Sequence, residues 1–175
     1  MISEITVRPK PKNKKAHAIA LAFILLAALV TVIYAVVDVY RGVVGLGAIA
    51  MLAAAIYIYT KYIGCEYSYD VVISEGTPLF LVRQTVGRRS TLLLNVHLSS
   101  IIEVRRESRE QRRAYKPSED SQRYVFTPTV CPDEVYRIIT AGRDGRCEII
   151  IECNQDFADL LMRYAEEARA ALDEE

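Results

Sequence analysis

The chain has 175 residues, of which 51% are hydrophobic, and its 22 basic and 22 acidic side chains give a formal net charge of zero. These charges are unevenly distributed: residues 1–16 are basic, residues 17–60 hold only Asp38 and Arg41, and nearly all others follow Lys61. The four cysteines form no CxxC pair and only two histidines occur, which excludes a zinc site with closely spaced ligands. The composition predicts a basic tail, an apolar block and a water-soluble domain.

Two apolar stretches, residues 17–37 and 43–63, follow the basic tail over residues 1–16. A helix of about 20 residues crosses the ~30 Å hydrocarbon core of a bilayer, so each stretch predicts a transmembrane span. Only a short connector separates them, and together they predict a hairpin. A cleavable signal peptide is the alternative for the first stretch, but its apolar part is longer than a usual signal core and a second stretch follows at once.

The charges beside the spans predict the orientation. Five basic residues precede the first span and Lys61 ends the second, whereas the connector carries only Arg41. The positive-inside rule then predicts a multi-pass protein of the cell membrane with both termini in the cytosol. Neither span holds an ionisable residue near its middle, which argues against a proton relay, a channel or a transporter.

Small residues recur at helical spacing in both spans, and they suit close packing of helices. We expect these faces to pack on each other or on a second copy, so the expected partners of this segment are the lipid bilayer and another span. The residues are Ala27, Thr31 and Ala35 in the first span and Gly47, Ala50 and Ala54 in the second.

Beyond Gly64 the hydrophobic period changes from that of a helix to the two-residue alternation of strands. Strands are predicted over residues 67–73, 79–86, 88–96, 101–106, 122–127, 135–141 and 147–153, with residues 107–121 as a polar loop. Gly87 marks one hairpin, and Asp144-Gly145 marks another.

A closing amphipathic helix is predicted after Asn154, a good N-cap. Its apolar face is formed by Phe157, Leu160, Leu161, Tyr164, Ala165, Ala168 and Leu172. The predicted fold of residues 65–175 is therefore α+β and mainly β. It is a sandwich or partly open barrel of about seven antiparallel strands, capped by a C-terminal helix.

This order of elements resembles that of bacterial membrane proteins that carry a pleckstrin-homology-like (PH-like) domain after two N-terminal spans. The local resemblance lies in Tyr69-Asp70-Val71-Val72-Ile73, the turn at Gly76, the run from Leu79 to Arg83, Gly87, and Leu98-Ser99-Ser100-Ile101-Ile102-Glu103-Val104. One departure is Ser74-Glu75-Gly76-Thr77, which stands in place of a Thr-Asp-x-Arg turn. The resemblance implies a PH-like fold for the soluble domain.

No catalytic, metal or cofactor site is predicted. His97 has no acidic partner identifiable from sequence, and Ser99-Ser100 lacks the flanking glycines of a nucleophile elbow. Glu148 and Glu152 share one face of a strand, where a solvated sheet surface is expected rather than acid–base chemistry. The chain also lacks a glycine-rich phosphate loop and an HExxH motif.

Clustered basic residues are the candidate binding site for lipid or for a partner. Residues 105–116 hold six basic and two acidic side chains, and a basic group near an anionic leaflet gains about 1 kcal/mol. A solvated loop is the alternative, and nucleic acid is not expected because only Tyr115 interleaves the charges. The candidate residues are Arg83, Arg88, Arg89, Arg105, Arg106, Arg109, Arg112, Arg113 and Lys116.

The sequence therefore favours a membrane-anchored, non-catalytic interaction module. Its PH-like domain is expected to lie at the inner face of the membrane and to bind a protein partner or anionic lipid head groups. The alternative is a small integral-membrane enzyme or accessory subunit whose site forms with a partner chain.

The predicted orientation can be tested by labelling cysteines from outside the cell. Both variants are made in a chain whose four native cysteines are replaced by serine. In intact cells a membrane-impermeant thiol reagent should label the Tyr40→Cys variant, because position 40 lies in the predicted outer connector, and should not label Asp173→Cys. Permeabilised cells provide the control, in which both positions should react. Labelling at position 173 before permeabilisation would contradict a cytosolic C-terminus.

Overall fold

The computed structural model describes residues 4–9, 14–36, 41–74, 76–115, 121–142 and 145–173. The chain divides into two compact units. One comprises Pro11–Cys65, and the other combines Met1–Lys10 with Glu66–Glu175. The connector of the predicted hairpin lies mostly outside the described residues, as do Lys116 and Asp144.

The first unit consists of helix α1 (Lys14–Val36), helix α2 (Arg41–Ile58) and a π-helical turn (Tyr59–Ile63) that follows α2 directly. Two stretches, Lys14–Ala35 and Gly42–Ile63, are long and apolar enough to cross a membrane, with mean hydropathies of 2.7 and 2.0. Four buried side chains in this unit are alanines, namely Ala16, Ala20, Ala27 and Ala55.

The predicted small-residue faces are only partly buried. Ala27 is buried, and its carbonyl accepts a hydrogen bond from the Thr31 hydroxyl at 2.8 Å. Ala50 is exposed, whereas Ala55 is buried. Gly47 and Ala54 are half-buried, so only Ala50 of the three predicted residues of α2 lies on an exposed side of the helix.

The second unit contains two four-stranded sheets, which we call sheet A and sheet B. Sheet A has the order β1 (Ile5–Val7), β2 (Cys65–Ser74), β3 (Thr77–Val86) and β4 (Arg89–His97). Positive φ angles at Gly76 and Gly87, 81° and 60°, fit the turns that were predicted there. Strand β1 was not predicted, because three residues are too few to show a period; it pairs antiparallel with β2, with Thr6 opposite Asp70.

Sheet B contains β5 (Ile101–Ser108), β6 (Gln122–Phe126), β7 (Glu134–Gly142) and β8 (Gly145–Ile151), in the order β5-β7-β8-β6. Strand β6 runs parallel to β8, with Tyr124 opposite Ile149. The expectation that every strand is antiparallel is therefore wrong for β6. The sequence could not reveal this, since the two-residue alternation is the same in both orientations.

Part of the predicted loop over residues 107–121 is regular. Strand β5 extends to Ser108, and the short helix α3 (Arg109–Ala114) follows. Ser108 and Gln111 form a capping box, in which the Ser108 backbone N–H donates to the Gln111 side chain at 2.8 Å. The Ser-x-x-Gln spacing was the signal that the sequence analysis missed.

Helix α4 (Gln155–Asp173) begins directly after Asn154, and it contacts β5 and the 3-10 turn at Leu98–Ser100. Its buried residues are Phe157, Ala158, Leu161, Tyr164, Ala165 and Ala168. They share the interior with residues of both sheets, including Tyr69, Phe80, Val82, Ile138 and Ile149. Leu172, which was assigned to the apolar face, is 59% exposed at the last turn of the helix.

Docking of α4 can be tested with two leucines of this helix. Leu161 is fully buried, so Leu161→Ala should lower the free energy of unfolding by about 2–5 kcal/mol. Leu172→Ala should change it little. Thermal and denaturant unfolding of the detergent-solubilised full chain, followed by circular dichroism, measures both variants. Equal unfolding midpoints for the two variants would mean that α4 does not contribute to the core.

Candidate functional site

The predicted basic residues lie on separate elements. Arg83, Arg88 and Arg89 belong to the β3–β4 hairpin, and Arg105 and Arg106 lie on β5. Helix α3 carries Arg109, Arg112 and Arg113, which line a shallow cavity of about 200 Å³ with Val130, Cys131 and Pro132. Lys116 lies outside the described residues.

Three of these arginines contact oxygen atoms of their own domain. The Arg83 Nε atom lies 3.5 Å from Oδ2 of Asp70, and Arg106 donates to Glu134 at 2.5 Å. Arg112 donates a hydrogen bond to the carbonyl of Pro132. No ion pair occurs within the described part of the chain for the other described candidates, namely Arg88, Arg89, Arg105, Arg109 and Arg113, all of which are exposed.

A buried ionic cluster that was not predicted lies on sheet B. Arg137 on β7 is only 2% exposed, and it donates hydrogen bonds to Glu107 at 2.9 Å and to Glu148 at 3.3 Å. Its Nε atom is also 2.9 Å from Oε1 of Glu107, although its N–H bond does not point along a hydrogen bond. One guanidinium therefore joins two carboxylates on the flanking strands β5 and β8.

Tyr115, just beyond α3, covers this cluster. The Arg137 Cζ atom lies 3.4 Å from the centroid of the Tyr115 ring, and the Tyr115 hydroxyl donates to Glu148. That hydrogen bond, together with burial and the charge of Glu148, raises the pKa of Tyr115 above its ordinary value. The residues were hard to find from sequence, because they are far apart in the chain and none forms a recognised motif.

The expectation of a solvated sheet face at Glu148 and Glu152 is wrong. Glu148 is buried against Arg137, and Glu152 is half-buried, where it accepts a hydrogen bond from the Thr129 hydroxyl at 2.9 Å. The two-residue alternation in β8 correctly placed Glu148 and Ile149 on opposite faces of the strand. It could not reveal that Tyr115 covers the face that carries Glu148. Both carboxylates thus accept hydrogen bonds from other residues of the same domain.

The other polar candidates are in ordinary surroundings. Ser100 donates to the carbonyl of His97 at 2.7 Å, as expected for turn chemistry. Burial raises the pKa of the Cys153 thiol to about 12, which disfavours a thiolate at neutral pH. Among the described residues, no group of three or more His, Cys, Asp or Glu side chains could hold a metal ion.

The polar face of sheet A forms an open groove of about 250 Å³. Buried Asp70 lies in it, accepts a hydrogen bond from Ser68 at 3.4 Å and pairs with Arg83. Arg8 and Arg83 balance Glu66 and Asp70, so the groove is formally neutral. Its lining also includes Thr6, Thr85 and Ser90.

Strand β4 forms an open edge of sheet A, and we refer to it as the β4 edge. It is last in the sheet order, so its outer side has no strand partner within the described ranges. Leu92 and Leu93 are 50% and 38% exposed in the middle of the strand. The register shifts beside them, between Val82 and Arg83 on β3, and this shift marks a bulge.

The formal charges of the β3–β4 hairpin are all positive. Residues 76–102, which contain the whole β3–β4 hairpin, include Arg83, Arg88 and Arg89 but no aspartate or glutamate. The described structure therefore offers an unpaired strand edge, two exposed leucines and two exposed arginines side by side.

A comparison with protein families found a match over residues 1–169 to the family described as bacterial PH-like domain (DUF6106). No curated protein matches the chain. The match covers both apolar helices and nearly all of the second unit, and it confirms the predicted PH-like fold.

The buried cluster can be tested by removing its cation. Arg137→Met should lower the free energy of unfolding by about 3–5 kcal/mol, because Glu107 and Glu148 would remain buried without a counter-charge. Arg105→Met is the matched control, since Arg105 lies opposite Arg137 on the neighbouring strand but is exposed. Denaturant unfolding of the full chain measures both variants. A loss no larger than that of the control would contradict the importance of the cluster.

Proposed function

This chain belongs to the bacterial PH-like domain family, and we propose that it acts as a membrane-anchored, non-catalytic interaction module. Its binding site is the β4 edge, and its ligand is an extended segment of a protein partner. The open edge of β4, with two exposed leucines at its centre, is the observation that carries this proposal.

The anchor is the pair of apolar helices, and the strand pairing supports a hairpin across the membrane. Residues Ile5–Val7 precede both helices and Val71 follows them, yet β1 and β2 pair in one sheet. Two paired strands must lie on the same side of a bilayer, so the helices between them cross it an even number of times. The positive-inside rule favours the cytosol as that side.

The β4 edge suits the addition of a strand. An open edge presents backbone N–H and C=O groups that pair readily with another extended chain. Proteins commonly protect such edges with bulges and charged residues, and this edge has the bulge near Leu93 and two arginines at one end. These features disfavour indiscriminate pairing while leaving Leu92 and Leu93 accessible.

Anionic lipid head groups are the second candidate, favoured by the exposed arginines on the β3–β4 hairpin, β5 and α3. The β4 edge itself argues for a protein, since another extended chain can pair with the row of backbone N–H and C=O groups along an open strand edge. A non-catalytic role is supported by the internal bonding of Glu148 and Glu152, the carboxylates considered for acid–base work.

The proposed site can be tested by capture of partners from native membranes. The tagged full chain is purified in mild detergent and its associated proteins are identified by mass spectrometry. Replacing Leu92 and Leu93 together by Asn should remove the partner, because the apolar contact is lost without any change in charge. Val125→Asn is the control, since Val125 is as exposed as Leu92 but lies on β6, an edge strand of sheet B. A partner that still co-purifies with the Leu92, Leu93 double variant but no longer co-purifies with the Val125→Asn control would contradict the proposal.

A further inference from the structure

We infer that the segment bound along the β4 edge is apolar at its centre and carries carboxylates at one end, where they meet Arg88 and Arg89. This inference rests on the proposed function and specifies the chemistry of the partner.

The charge of the hairpin indicates an acidic partner. Arg83 already faces the buried carboxylate of Asp70, with Nε and Oδ2 3.5 Å apart. Arg88 and Arg89 are exposed, and no ion pair is present for either within the described residues. A carboxylate of a partner can therefore form charge-assisted, bidentate hydrogen bonds with these guanidinium groups. Such complementarity mainly provides specificity and register.

The apolar centre follows from the exposed side chains. Leu92 and Leu93, which are 50% and 38% exposed, lie in the middle of β4. The far end of the strand carries Asn95 and His97 and has no lysine or arginine. An acidic residue of the partner is therefore expected only at the Arg89 end of β4.

The order of the partner's residues follows from strand direction. Both registered pairings in sheet A, β1 with β2 and β3 with β4, are antiparallel, and an antiparallel segment continues that pattern. Since Arg89 begins β4, an antiparallel partner reaches it with its C-terminal part. The partner's acids should therefore follow its apolar residues in sequence.

A second copy of the chain fits this site less well. Antiparallel pairing of two β4 strands centred on Leu93 would place Arg89 opposite His97 of the other copy. No carboxylate would then meet either arginine, and two hairpins that each carry three arginines would approach one another.

The test uses the full chain in nanodiscs of zwitterionic lipid and a random peptide display library. The selected peptides should contain an apolar pair followed by Asp or Glu. A synthetic consensus peptide should lose about tenfold in affinity when its acids are replaced by Asn and Gln, as expected for two exposed charge pairs. The Arg88→Gln, Arg89→Gln double variant should remove this difference. The Arg105→Gln, Arg109→Gln double variant loses the same charge elsewhere and should retain it.

The outcomes separate this inference from the proposed function. Peptides that require Leu92 and Leu93 but show no preference for acids overturn the inference alone. Peptides whose binding does not depend on Leu92 and Leu93, or no binders at all, overturn the proposed function as well. Loss of the acid preference on discs of anionic lipid would assign the two arginines to lipid head groups and would also overturn the inference.

Discussion

Sheet B depends on the guanidinium of Arg137. Burying an ion is costly unless its charge is balanced and its hydrogen bonds are formed. Buried Arg137 therefore requires Glu107 and Glu148 to lie beside it on the two neighbouring strands. The same group supports the ring of Tyr115, which fixes the end of the segment that leaves β5 through α3. The charge of Arg137 thus links β5, β7 and β8 to one another and to the segment that contains α3. An apolar residue at this position could fill space, but it would not select the same partners.

The sequence revealed most of the fold because apolar periodicity reports which face of a strand or helix is buried. It located the two apolar helices, seven strands and the closing helix, and it located the turns at Gly76 and Gly87, where glycine permits a positive φ angle. It did not reveal β1, which is too short for a pattern, or the parallel direction of β6. Helix α3 was predicted as part of a loop because its polar residues show no apolar period, although the spacing of Ser108 and Gln111 indicates the start of a helix.

The candidate site was less predictable, for a physical reason. A basic residue looks the same in a sequence whether it is solvated or paired, and the pairing depends on distant residues such as Asp70 for Arg83 and Glu134 for Arg106. The hydrophobic period likewise could not show that β4 is an edge, since exposure of Leu92 and Leu93 results from the order of the strands. The two exposed leucines of the β4 edge therefore could not be told from core residues in the sequence.

The pairing of β1 with β2 has a consequence for biosynthesis. Residues 5–7 leave the ribosome first, but their partners at positions 69–71 emerge only after both apolar helices have been synthesised. Closing so long a loop is entropically costly and must follow the making of the helices that it spans. Sheet A can therefore be completed only after both apolar helices have been synthesised, although its strand β1 is translated before them.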